Sequence, residues 1–104
     1  MQTKQQADII NLIKDFINSL SHDYKIHDVF LFGSHVHGSP TEESDIDIAI
    51  IIDDEINELI DFDIFKRAQY YNLNLEPVVF SLEEFNQDTV DLIVEIKNKG
   101  KKIV

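Results

Sequence analysis

Asp45 and Asp47 are the residues of this sequence best placed to do chemistry. They stand two apart in "SDIDIAIII", a stretch rich in isoleucine and bounded by acids that reads as a strand over Ile46–Ile52. Side chains at i and i+2 of a strand share a face, so the two carboxylates project together while Ile46 and Ile48 point the opposite way. Paired carboxylates repel, and half-burial makes the repulsion costly. A divalent cation removes that cost. Mg²⁺ takes oxygen ligands and keeps room for waters and substrate phosphates. Ahead of the pair, with ten residues between, "VFLFGS" ends an apolar run in Gly33-Ser34. A glycine after a strand lets backbone approach a ligand closely. The N–H groups of a short helix over 34–38 and the Ser34 hydroxyl would then meet phosphate oxygens. A phosphate cradle beside a Mg²⁺ pair is the toolkit of phosphoryl and nucleotidyl transfer. Asp-x-Asp alone is a weak signal and Gly-Ser a weaker one, but together, with strands on both sides, they are far more specific.

These residues need elements to hold them. Thr3 and Gln6 suit a capping box, and Ile9, Ile10, Ile13, Phe16, Ile17 and Leu20 recur at helical spacing, which predicts an amphipathic helix over Lys4–Leu20. A buried strand over 29–32 follows, then Ile46–Ile52. A helix over 54–71 has Ile60, Ile64, Ala68 and Tyr71 on one face, with Phe65 beside them and Asp53, Asp54 and Glu55 as its cap. A third strand spans 73–80. Ser81 and Glu84 form a second capping box, and a last helix over 87–99 turns Val90, Ile93, Val94 and Lys97 inward, with Gly100 as its stop. The last four residues add a short edge strand. The link between the first two strands is short for a right-handed parallel crossover. The expected fold is therefore α/β, more closely α+β: a small mixed β-sheet with helices packed mainly on one face.

Composition sets the outer limits. A length of 104 residues suits one domain, 1–104, with a modest core. With no cysteine, disulfides and thiolate metal sites are excluded. No stretch has the length of a membrane span and the N-terminus lacks an apolar signal core, so a cytoplasmic protein is expected. Nine basic and twenty acidic residues leave a net charge of −11, which disfavours direct nucleic-acid or anionic-membrane binding. Most of that charge reads as solubility. The crowding of Glu42, Glu43, Asp45, Asp47, Asp53, Asp54 and Glu55 asks for cations or a basic partner.

Gly33, Ser34, ten residues, Asp45, Ile46, Asp47 has the spacing of the GSx10DxD signature of the DNA polymerase β-like nucleotidyltransferases. The likeness covers nearly the whole chain, and the length resembles the smallest members, the minimal nucleotidyltransferases (MNT). The resemblance implies the polymerase β-like nucleotidyltransferase fold and a nucleoside triphosphate site, with ATP as the substrate and two Mg²⁺ ions. It implies Gly33 and Ser34 on the β and γ phosphates, and Asp45 and Asp47 on metal. A third acid from a later strand would complete the metal set and help activate the attacking hydroxyl. Glu76 is the carboxylate of the third strand, where many relatives have Asp, and Pro77 beside it marks an edge or a bulge. Its bland reading is an exposed edge residue.

Relatives often carry arginine at the position of His37, and histidine is a poorer phosphate clamp. His35 and His37 are candidates to touch triphosphate or substrate, against a reading of one or both as solvated loop residues. His-x-His followed by Asp also resembles binuclear metallohydrolases, which need further histidines, and none follows His37. His22 and His27 read as surface or structural residues, Glu42 and Glu43 as loop, and Phe62, Phe65, Tyr70 and Tyr71 as core plus interface. Larger relatives add an acceptor domain, so one wall of the site calls for a partner or an oligomer. MNT proteins act with small helical proteins of the HEPN type in toxin–antitoxin pairs, in some systems transferring AMP to a tyrosine of the toxin. Two readings follow: an active adenylyltransferase antitoxin, or a binding antitoxin with a vestigial site.

Overall fold

The computed structural model describes residues 4–37, 44–88 and 90–103. Thr3, Glu42 and Glu43, read above as a cap and as loop, lie outside the described residues. The elements run α1 (Lys4–Leu20), β1 (Ile26–Phe32), α2 (Ser34–His37), β2 (Ile46–Ile52), α3 (Glu58–Tyr71), β3 (Leu75–Ser81), α4 (Leu82–Asn86), α5 (Asp91–Lys99) and β4 (Lys101–Lys102).

The four strands stand in the order β3-β2-β1-β4. β1 pairs antiparallel with β2 and with β4, while β2 pairs parallel with β3, so the sheet is mixed. β3 is an edge strand, which tolerates the missing N–H of Pro77. The run Ile48–Ile52 is buried throughout because both faces of β2 are covered. Ile48, Ile50 and Ile52 pack with Ile13, Phe16, Leu20 and Ile64 under the two long helices α1 and α3. Ala49 and Ile51 face the other way, onto Phe80, Phe85, Ile93 and Ile96 of the shorter second layer. Among the described residues, no helix is long and apolar enough to cross a membrane.

Several local expectations shift. α3 begins at Glu58 rather than at 54, because Asn57 is its cap and accepts from the Ile60 N–H at 3.0 Å. Asp54 instead accepts from the neighbouring Glu55 N–H at 2.8 Å. α5 begins at Asp91 and buries Ile93 and Ile96. Val90 and Val94 are largely exposed, and Lys97 reaches back to Asp88 and over the Phe85 ring. The inner side of α5 is thus set by a spacing of three rather than four. The Ser81–Glu84 capping box is present, with Glu84 N–H donating to Ser81 Oγ at 3.1 Å. Gly100 ends α5 where a Cβ would meet the Ile96 carbonyl oxygen at 2.5 Å.

Candidate active site

Gly33 follows β1 with φ +77, a backbone conformation that side-chain-bearing residues rarely adopt. Space matters as much as conformation here, because a Cβ at this position would collide with the Asp47 carboxylate. The antiparallel register explains the approach: Phe32 lies opposite Asp47, so the turn after β1 passes directly over that side chain. The Val36 N–H donates to the Gly33 carbonyl at 3.0 Å and closes the first turn of α2. Ser34 and His37 open and close α2, and their side chains lie outside what the structure describes.

The parallel register of β2 and β3 sets Asp47 opposite Glu76. Register partners share a sheet face, and Asp45, two residues before Asp47, shares it too. All three carboxylates therefore stand on the face that α4 and α5 cover at its far end, beside Ile51 and Phe80. The turn between α3 and β3 secures this end, since the Ile46 N–H donates to the Asn74 carbonyl at 2.7 Å.

The three acids sense one another. Burial pushes the Asp47 carboxyl up from its ordinary value, and the charge of Asp45 pushes it further, against an opposing pull from His35. Glu76 is raised by desolvation and by the charges of Asp45 and Asp47. Carboxylate oxygens that repel one another are hard donors suited to Mg²⁺. The donor set fits that ion. Among the described residues, no three His, Asp or Glu side chains converge closely enough to form a ready-made metal cage. Glu76 is exposed, as its edge strand allows.

His35 was missed as a buried group. It is 5% exposed, and neither ring nitrogen has a hydrogen-bond partner among the described residues. A four-residue helix has too few turns for periodicity to show which side chain turns inward, so nothing in the sequence marked it. His27 pairs with Asp28 at 2.9 Å at the surface. His22 lines a cleft of about 440 Å³ with Ser19, Asp23, Arg67, Tyr70 and Tyr71. Arg67 there bridges Asp23 at 2.7 Å and Asp63 at 3.2 Å, a contact set the sequence did not announce. Of the aromatic group on α3, Tyr71 packs on Phe16 with ring centroids 5.4 Å apart, while Phe62, Phe65 and Tyr70 are exposed.

The chain is similar to several known proteins. The nucleotidyltransferase domain family matches residues 13–104. A Methanocaldococcus jannaschii protein, itself assigned by inference as a protein adenylyltransferase, is 40% identical over 77 residues, covering 72% of this chain and 76% of its own. A second from that organism, with the same inferred assignment, is 29% identical over 92% of this chain and 99% of its own. A chain of a toxin–antitoxin crystal structure with AMP-PNP superposes with a TM-score of 0.69 at 21% identity, covering 91% of this chain and 72% of that one. A chain from the complex of a tri-AMPylated Shewanella oneidensis HEPN toxin with its MNT antitoxin gives 0.50 at 22% identity, over 100% and 72% of the two chains. At such identities these structures speak for the fold. The family match and the identity to the first M. jannaschii protein, with the shared fold beside them, make this chain a member of the nucleotidyltransferase domain family.

Proposed function

We propose that the chain is an Mg²⁺-dependent adenylyltransferase that moves AMP from ATP to a hydroxyl of a protein partner, a tyrosine of a small helical HEPN-type toxin, and so acts as an antitoxin. The observation that carries this reading is the register: Asp47 stands opposite Glu76, with Asp45 on the same face and Gly33 packed onto Asp47. The inferred assignments of the M. jannaschii relatives and the AMPylated HEPN toxin in the Shewanella complex support the donor and the acceptor class. A partner also has a surface to use. Leu59, Phe62, Phe65 and Tyr70 of α3 and the adjoining Leu73 are all exposed, and Leu73 precedes Asn74, whose carbonyl holds the start of β2.

Asp45, Asp47 and Glu76 would hold two Mg²⁺ ions, which supply positive charge against the triphosphate and acidity to the acceptor hydroxyl. Gly33 and Ser34 would bind the β and γ phosphates, and His37 would add a conditional cation where relatives carry arginine. Glu76, open to solvent with a raised pKa, is suited to take the proton of the attacking hydroxyl. The new bond joins the acceptor oxygen to the α phosphorus, and pyrophosphate leaves. The test is transfer of label from α-labelled ATP to the purified partner, abolished by Asp45→Asn or Asp47→Asn in folded protein. Equal transfer by wild type and both variants would sink the enzyme reading.

The exposed, longer Glu76 favours a second reading, in which the site is vestigial and neutralisation follows from complex formation alone. In that case the two Asp→Asn variants neutralise the partner as well as wild type does, and no label moves.

A further inference from the structure

Among the described residues, His35 is the one polar side chain buried in the protein. Neither Nδ1 nor Nε2 has a hydrogen-bond partner among the described residues. An imidazole in that state is unfavourable for folding alone, and an apolar ring of similar size would serve the core better. Its position supplies a reason to keep it. His35 is the second residue of α2, and α2 starts directly after Gly33, whose backbone lies against the Asp47 carboxylate.

We propose that His35 is a positioning residue for Asp47: its buried imidazole supplies a ring N–H that orients the Asp47 carboxylate once that carboxylate takes up metal. Partners of this kind behind a metal-binding group fix its orientation and tune its basicity. His35 is too buried to reach nucleotide itself, so its action passes through Asp47. The metal-binding role of Asp47 rests on the function proposed above; the coupling of His35 to Asp47 can be measured without nucleotide.

The experiment combines His35→Phe, His35→Gln, Asp47→Asn and the His35→Phe/Asp47→Asn double variant. Urea unfolding in Mg²⁺ buffer gives the effect of Asp47→Asn in the wild-type and His35→Phe backgrounds. We expect the two effects to differ; equal effects overturn the proposal. Calorimetric titration with Mn²⁺ and ATP should show affinity at least ~10-fold weaker in His35→Phe, partly recovered in His35→Gln through its amide N–H. Wild-type affinity in His35→Phe also overturns the proposal, because a core-filling role is met by either ring. Should His35→Phe fold poorly, His35→Gln replaces it in the cycle. A wild-type chain that binds no nucleotide defeats the adenylyltransferase reading, and the unfolding cycle still decides the role of His35.

Discussion

At the scale of single residues, the site is under electrostatic tension. Asp47 and Glu76 hold their protons above the ordinary values of 3.8 and 4.5. Between the ordinary and raised values the folded protein binds protons that the unfolded chain has released. Stability from these groups is therefore full below about pH 4 and declines as pH rises through the carboxylate range. Urea unfolding at a series of pH values should show that decline, and saturating Mg²⁺ should flatten it. Asp47→Asn removes the repulsion, so the unliganded protein should keep its stability or gain about 0.5 kcal/mol while losing nucleotide binding. Gly33→Ala meets both the positive φ and the Asp47 carboxylate, and should cost about 1–2 kcal/mol in unfolding experiments along with nucleotide affinity. The need for glycine at 33 could be read from the strand that stops there, but its contact with Asp47 could not. That contact depends on which residue of β2 lies opposite Phe32.

At the scale of elements, local pattern was a good guide where a face is buried over several turns. α1 has its predicted bounds because Ile13, Phe16 and Leu20 repeat over a long helix. α5 was misread at its start and on its inner face. In a helix of nine residues, one residue of phase exchanges Ile96 for Val94 and Lys97. α3 divides into two sides with opposite consequences. Ile64 is fully buried against the sheet, so Ile64→Ala should destabilise by about 2–5 kcal/mol in chemical unfolding. Phe62 is 63% exposed, so Phe62→Ser should leave stability within about 0.5 kcal/mol and instead weaken the complex with the proposed helical partner in a pull-down.

At the scale of the whole molecule, a net charge of −11 in a 104-residue chain works against compaction. Part of it is offset locally, as where Lys102 of β4 meets Asp28 at 3.0 Å. The rest is available to salt. Raising sodium chloride from low to physiological strength should raise the melting temperature of the isolated chain by a few degrees, on the order of 0.5–1 kcal/mol. The sequence by itself determined the family spacing, the common face of Asp45 and Asp47, and the mixed sheet with long helices, because strand alternation and helical period are properties of contiguous residues. Only the tertiary structure decided that Asp47 faces Glu76 across a parallel register, that Gly33 lies on the Asp47 carboxylate, and that His35 is buried. Those three facts arise where segments distant in sequence meet, and pairing register and layer packing set them, leaving no local periodicity to read.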